Sequence, residues 1–289
     1  MNYILHLIVL IELYVMLGLS LNLMVGYTGL LTLAHAAFYG IGAYVAALLM
    51  VNSGVNFFAA MVAAIVLTVG MSLIVSLASL RFRGDYFIVA TLAFQVLVFS
   101  VLYNWVDVTR GPFGVRNIPK PSFAGIRIDS LPLFSVFGLV FMLLVVGFLH
   151  LILHAPFGRT LQAIRDDEIA AASLGKRVMS FKVRTVAMAS GCAAVAGALY
   201  ATYVTFIDPT SFTVDESILM LSMVIVGGTG NMKGPIIGAA LLVLLPELFR
   251  FFHISSAAAA NIRLIIYGLM LVTLMRLRPQ GIAGKYQFE

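Results

Sequence analysis

The sequence predicts an all-α polytopic membrane protein, and three observations support that fold class. Of the 289 residues, 62% are hydrophobic and only 10% are charged, whereas soluble domains are about 25% charged. The apolar residues form about eight or nine continuous stretches, most of them near the ~20 residues that a helix needs to cross a bilayer. These stretches lack the alternating polarity of barrel strands, so helices are the structure that satisfies their backbone groups in lipid.

The expected spans follow one another with only short connections between them. They lie at about 3–25, 30–51, 57–80, 86–106, 133–153, 184–206, 216–227, 235–252 and 262–276. No connection is long enough to form a soluble domain, so we expect residues 1–289 to form a single transmembrane domain. The lone Cys192 lies in an apolar run and can form no intrachain disulfide.

The basic residues of the connections predict how the chain is oriented. The densest cluster lies in segment 159–184 and consists of Arg159, Arg165, Lys176, Arg177, Lys182 and Arg184. Cytoplasmic connections carry an excess of Lys and Arg, so we expect this segment to be cytoplasmic and the connection 107–132 to lie outside. The first 80 residues contain neither Lys nor Arg, and the side on which the chain starts therefore stays open.

Two glycine-rich sequences interrupt the apolar stretches, one in each half of the chain. They are Gly26-Tyr27-Thr28-Gly29 and Gly227-Gly228-Thr229-Gly230. In transporters, paired interruptions of this kind mark a substrate site at the interface of two repeats. They therefore predict broken or re-entrant helices and a two-fold internal repeat. Chance is the alternative explanation, because glycine is common in membrane helices.

Polar groups within the spans are candidates for a translocation pathway, because they are costly in a bilayer. The candidates are Gly29, Thr32, His35, Tyr44, Gln95, Gly228 and Gly230. Hydrogen bonds between helices explain Glu12, Asn22 and Glu247 better. The chain contains neither a phosphate-binding loop nor an H-E-x-x-H motif, so we expect it to bind neither ATP nor a metal, and no residue is expected to be catalytic.

The longest polar segment on the cytoplasmic side, within residues 154–183, predicts a short helix of its own. Asp166 is the expected N-cap, with Asp167 and Glu168 in the first turn. Gly175 is the expected stop at the C-terminal end. Such a helix is either a solvated linker between two spans or a docking helix for a partner protein.

The pattern Glu168-x-x-Ala171-Ala172-x-x-Gly175 in this segment resembles the cytoplasmic loop through which permeases of bacterial ABC importers contact their ATPase subunits. The resemblance assigns this contact to Gly158, Arg159, Arg165, Asp166, Asp167, Glu168, Ala171, Ala172 and Gly175. Five blocks, at 26–44, 83–94, 111–114, 227–235 and 278–281, are similar to those of M-type permeases of the high-affinity branched-chain amino acid system. Nearly the whole chain is covered.

The resemblance implies a permease subunit of an ATP-driven importer for branched-chain amino acids, set in the lipid of the bacterial inner membrane. The implied partners are a homologous second permease, two ATP-binding cassette subunits that bind ATP and Mg²⁺, and a periplasmic substrate-binding protein. No cofactor and no nucleic acid are expected on this chain. Permeases for urea and short amides share much of the pattern and remain an alternative. A secondary transporter driven by an ion gradient is a further alternative, since broken helices and a buried carboxylate suit it too.

Overall fold

The computed structural model describes residues 2–79, 85–123, 126–251, 268–269, 272–273, 276 and 281–283. Within these ranges the chain is almost entirely helical, apart from 3₁₀ turns at Gly111–Phe113 and Pro209–Phe212 and one pair of two-residue strands, β1 (Ser122–Phe123) and β2 (Ile126–Arg127). The helices are α1 (Asn2–Thr28), α2 (His35–Ser53), α3 (Phe57–Ser79), α4 (Asp85–Asn104), α5 (Val106–Thr109), α6 (Leu131–His154), α7 (Pro156–Asp166), α8 (Glu168–Ser173), α9 (Val178–Val204), α10 (Val214–Gly227) and α11 (Lys233–Phe251).

Six of the described helices, α1, α2, α3, α4, α6 and α9, are long and apolar enough to cross a membrane. They confirm the predicted all-α membrane fold. The predicted stretch at 216–227 is α10, whose 14 residues reach only about 21 Å at 1.5 Å per residue. The stretch at 235–252 corresponds to α11, and the one at 262–276 lies mostly outside the described residues.

Helix α1 lies at the centre of the bundle, where it contacts α6, α9, α10 and α11. Every side chain from residue 15 to residue 28 is buried, as expected of a helix that is apolar on all sides. The outer helices instead present large apolar side chains, such as Ile74 of α3, Leu97 of α4 and Leu144 of α6. These side chains face the surroundings of the bundle, where lipid replaces water.

The contacts of α9 distinguish the two ends of the bundle. Near its C-terminal end, Tyr203 stacks on His6 of α1. Near its start, Phe181 stacks on Phe157 of α7. The beginning of α1 therefore lies at the end opposite α7 and α8, which places it outside if the basic segment 159–184 is cytoplasmic.

Helix α2 begins inside the bundle instead of at its surface. After α1 ends, Gly29 adopts a φ of 72° and the chain turns back along α1. His35, the first residue of α2, is then 2.8 Å from the hydroxyl of Ser20, about two helical turns before the end of α1. The predicted break after the first span is thus a re-entrant turn, whereas the two-fold repeat stays a prediction.

Candidate coupling segment and polar core

The sharp turn from α6 into α7 depends on glycine and proline. Pro156 lies in the first turn of α7, where its missing N–H and fixed φ suit a helix start. A Cβ at Gly158 would collide with the backbone of Leu153, so a side chain at this position would displace α7. Helix α7 then buries Leu161 and Ile164 against the bundle and leaves Arg159 exposed.

The cap of α8 corrects the sequence prediction by one residue. Asp167, not Asp166, is the N-cap, and its carboxylate accepts hydrogen bonds from the amides of Ile169 (2.8 Å) and Ala170 (3.0 Å). Asp166 is the last residue of α7. The prediction was wrong because α7 continues through residue 166, so the first extended residue, which a cap requires, is Asp167 with φ −155° and ψ 107°.

Helix α8 is tied to the bundle by one buried residue and one ion pair. Ala171 is buried in a small cluster with Ile164 and Val178. Glu168 pairs with Lys182 of α9 at 2.6 Å. The helix ends at Ser173 with Leu174 as its C-cap, and Gly175 follows with a φ of 79°, the conformation predicted for a glycine stop.

Helix α8 and its C-cap Leu174 carry exposed apolar side chains that the sequence prediction missed. Ile169 is 72% exposed and Leu174 is 81% exposed, and Ala172 is exposed between them. Both large residues lie in a polar stretch that the sequence predicts to be cytoplasmic, which is the signal that could have identified them. Apolar side chains left in water on a short helix are typical of a protein contact.

Arg165 joins α7 to the end of α1. Its Nη1 donates to the carbonyl oxygen of Gly26 at 2.7 Å, and its guanidinium also pairs with Asp166 at 2.9 Å. The Arg165 side chain is only 11% exposed. It lies against Gly29, where an added Cβ would come within 3.3 Å of Cγ of Arg165. The basic segment is thus connected directly to the first glycine break.

The two glycine breaks lie next to each other, and Asn22 connects them. Its Oδ1 accepts from the amide of Gly230 at 3.2 Å, and its Nδ2 donates to the carbonyl of Asn231 at 3.0 Å. A Cβ at Gly26 would collide with Asn22 and with the amide of Gly230. We call Asn22, Gly26, Gly29, Gly228, Gly230 and Asn231 the glycine junction.

Glycine also sets the close contact of α10 and α11. A Cβ at Gly227 would collide with the carbonyl of Gly234, and one at Gly238 would collide with the carbonyl of Met223. The pair Gly234 and Gly238 has the four-residue spacing that lets membrane helices approach closely. Beyond it, the amides of Ile282 and Ala283 donate to carbonyls at the end of α10. The second break is therefore a tightly packed hairpin.

A second group of polar residues surrounds the buried start of α2. We call this group the polar core: Ser20, Thr32, His35, Thr91, Gln95 and Ser217, all of which are buried. The amide of Ala37 donates to Oε1 of Gln95 at 2.6 Å, and that of Ala36 donates to the hydroxyl of Ser217 at 3.0 Å. Side chains of α4 and α10 thus satisfy the amides that the first turn of a helix leaves unpaired.

Two buried polar atoms next to this start have no hydrogen-bond partner among the described residues. They are Nδ1 of His35 and the hydroxyl of Tyr44. The Tyr44 ring lies 5.9 Å from that of Phe212, whose carbonyl accepts a hydrogen bond from Nε2 of Gln95. An aromatic group of Tyr39, Tyr44, Tyr200 and Phe212 therefore borders the polar core.

The structure divides the predicted pathway residues into these two sets. Thr32, His35 and Gln95 belong to the polar core, with Tyr44 at its edge. Gly29, Gly228 and Gly230 belong to the glycine junction instead, and Gly29 lies against Arg165. Sequence reasoning missed Ser217 and Thr91, because a lone Ser or Thr in an apolar helix usually bonds its own backbone.

The helix-to-helix hydrogen bond predicted for Glu12 is confirmed, whereas Asn22 bonds the backbone of a loop. Glu12 accepts a hydrogen bond from Ser135 of α6 at 3.3 Å, and Asn22 bonds the loop between α10 and α11. The side chain of Glu247 lies outside the described residues.

Long apolar helices, a re-entrant break and buried polar groups beside it define a membrane permease. The chain belongs to the family described as branched-chain amino acid transport system, permease component, whose model matches residues 3–275. This is a family of transport subunits and not of enzymes.

Three curated relatives illustrate the family. The high-affinity branched-chain amino acid transport system permease protein LivM of Salmonella typhimurium is 35% identical over 93% of this chain and 67% of its own length. The probable LivM permease of Methanocaldococcus jannaschii is 26% identical over 71% of this chain and 62% of its own length. The probable LivH permease of that organism is 25% identical over 94% of this chain and 89% of its own length. No solved structure matches significantly.

Proposed function

We propose that this chain is the membrane-spanning subunit of an ATP-driven importer for branched-chain amino acids in a bacterial inner membrane. The family and the names of its relatives support that substrate class. A periplasmic protein would deliver the substrate, and a homologous second permease would complete the pathway. The match to both LivM and LivH of one organism supports such a pair. ATP and Mg²⁺ would be bound by two separate cassette subunits.

The observation that carries this proposal is the exposed apolar face of α8. A gradient-driven carrier has no need for Ile169 and Leu174 in water, whereas a docking helix needs apolar anchors that a partner's cleft can bury. The acidic first turn of α8 and its ion pair with Lys182 hold the helix against α9. We therefore assign residues 154–183, the coupling segment, to the contact with the ATPase subunits.

A displacement of the coupling segment would reach the spans through Arg165. Because the Arg165 guanidinium is hydrogen-bonded to the end of α1, a displacement of α7 would also displace α1. Asn22 of α1 would pass that displacement on to the loop before α11. Helices α1 and α10 both border the polar core, through Ser20 and Ser217. ATP-driven closure of the cassette subunits can thus change the environment of the start of α2.

We assign substrate recognition to the polar core and its aromatic border. The core offers helix-start amides, which suit a carboxylate, and the rings of Tyr39, Tyr44 and Phe212 offer an apolar wall, which suits a branched aliphatic side chain. Gln95 and Ser217 occupy those amides in this structure. Admission of a substrate therefore requires the α4 and α10 side chains to move away from α2.

The test is purification of the chain in mild detergent from a native bacterial membrane, followed by mass identification of every copurifying protein. We expect a homologous permease and ATP-binding cassette subunits, and we expect the complex in liposomes to accumulate leucine only when ATP and the binding protein are present. Recovery of the chain alone, with leucine uptake driven by an ion gradient, would contradict the importer. ATP-dependent uptake of urea instead of leucine would correct the substrate only.

A further inference from the structure

A polar cavity of about 510 Å³ opens at the end of the bundle that carries the coupling segment. It lies between α1, α6, α7 and the start of α11. Its apolar lining includes Leu153 and Met232. The polar side chains that line it are Tyr27, His150, His154, Gln162, Arg165, Asn231 and Lys233.

The lining of this cavity supplies hydrogen-bond donors and positive charge but no carboxylate. Arg165 is paired with Asp166, which is not part of the lining. Lys233 is exposed, and among the described residues no ion pair holds it. The histidine rings lie 3.9 Å apart. Nδ1 of His154 donates to the carbonyl oxygen of His150 at 2.8 Å, so His150 is the ring that can present an N–H to a ligand. A group with several negatively charged oxygens, such as a phosphate, suits this set of donors.

The surface next to the cavity indicates which phosphate compound fits. His150 and His154 continue a face of α6 that also carries Leu143 and Gly147, at the spacing of one helix stripe. Leu143 is 57% exposed, and nothing lies within 4 Å of where a Cβ on Gly147 would be. The cationic cavity thus passes directly into an open apolar stripe that runs towards the middle of the span. A free phosphate uses only the cavity, whereas a phospholipid uses both.

We propose that this cavity binds the head group of an anionic phospholipid in the cytoplasmic leaflet, with an acyl chain along the Gly147 stripe of α6. Lys233 and His150 contact the phosphate, and His154 lies beside His150 at the rim. Arg165 and Asn231 lie at the inner wall, so the head group touches the glycine junction from the outside. The leaflet follows from the cytoplasmic position of the coupling segment, and lipid binding itself does not depend on the proposed transport function.

The experiment measures lipid retention by the purified full-length chain in native mass spectrometry, with phosphatidylglycerol, phosphatidylcholine and inorganic phosphate as separate probes. We expect phosphatidylglycerol to be retained in preference to phosphatidylcholine. Lys233→Gln should lower the affinity for phosphatidylglycerol about fivefold, the effect of one cation near an anionic membrane surface. His150→Asn with His154→Asn should lower it further, and Lys233→Arg should retain it.

The matched control is Lys120→Gln, which removes one exposed lysine from the outer connection and should leave retention unchanged. Equal retention by the Lys233→Gln variant and the unmodified chain would overturn the proposal, as would equal retention of the two lipids. Inorganic phosphate bound as tightly as phosphatidylglycerol would overturn the lipid assignment. The salt dependence of lipid binding by the unmodified chain is a second test of the proposal. Added salt should weaken binding of phosphatidylglycerol but not of phosphatidylcholine.

Discussion

Nη1 of Arg165 lies 2.7 Å from the carbonyl oxygen of Gly26, although 139 residues separate the two in sequence. This hydrogen bond connects the coupling segment to the central helix of the bundle. A charged donor buried to this degree is strongly directional. The two residues therefore fix where α7 sits relative to the end of α1.

Arg165→Gln should uncouple ATP hydrolysis from uptake. The change removes a charged hydrogen bond that contributes about 1.5–3 kcal/mol, so we expect leucine uptake by the complex to fall at least tenfold while its ATPase rate persists. Both rates are measured in proteoliposomes. Arg184→Gln, which removes an exposed arginine at the start of α9, is the control. Equal losses of uptake in the two variants would argue against a specific role for Arg165.

Gly26→Ala should destabilise the fold through the glycine junction. The added methyl collides with Asn22 and the backbone of Gly230, and overpacking of this kind costs about 1–3 kcal/mol. A lower midpoint of thermal unfolding in detergent is the expected result. Gly70→Ala is the matched control, since nothing lies within 4 Å of its added methyl. An unchanged midpoint for Gly26→Ala would show that the two breaks can separate freely.

Ile169→Ser and Leu174→Ser should weaken binding of the cassette subunits without affecting the fold. Both side chains are exposed, and anchors buried on binding contribute about 2 kcal/mol or more. We expect at least a tenfold lower recovery of the ATPase in pull-downs from membranes. Ala170→Ser, an exposed position on the same helix, should leave recovery unchanged. Full recovery with both serine variants would remove the docking role of this face.

Asp167→Ala should fray α8, whereas Asp166→Ala should leave its cap intact. Loss of an N-cap side chain costs about 1 kcal/mol, and a helix of six residues has little else to hold its first turn. Hydrogen exchange of the amides of Ile169 and Ala170 should accelerate in Asp167→Ala and stay slow in Asp167→Ser. Faster exchange in Asp166→Ala instead would show that Asp166 is the N-cap, as the sequence predicts.

Tyr44→Phe should leave stability unchanged and weaken substrate binding. Its hydroxyl is buried without a partner among the described residues, so its removal breaks no bond within the protein. A hydrogen bond to substrate contributes about 0.5–1.5 kcal/mol, which predicts a severalfold higher KM for uptake. Tyr14→Phe provides the contrast, because Tyr14 donates to Glu216 at 2.7 Å and its loss should lower the unfolding midpoint. An unchanged KM in Tyr44→Phe would show that the substrate does not contact the Tyr44 hydroxyl.

The fold class could be predicted from the sequence because lipid leaves a chain few structures, and length and polarity alone then identify most spans. The position of α2 could not, since hydropathy does not show that His35 lies beside Ser20 in the interior. Contacts between segments that are distant in sequence could not be predicted either. Asn22 lies one helical turn before Gly26 and so shares its face, but nothing in the sequence indicates that Gly230 meets it there.

The candidate site could likewise be predicted from the sequence only in part. Local backbone rules placed a helix before Gly175 and an acidic first turn at Glu168, because capping depends on neighbours in sequence. The same rules chose Asp166 over Asp167, since they cannot tell where the preceding helix ends. The exposure of Ile169 and Leu174 is a tertiary property, decided by which side of α8 Ala171 buries.

The central position of α1 also has a consequence for how the protein is made. This helix is synthesised before its neighbours α6, α9, α10 and α11, which come later in the chain. Oδ1 of Asn22 accepts its hydrogen bond from the amide of Gly230 only after 208 further residues have been synthesised. Until then the polar side chains of α1 lack the partners that the later helices supply. Final assembly of the bundle is therefore a late, post-insertion event.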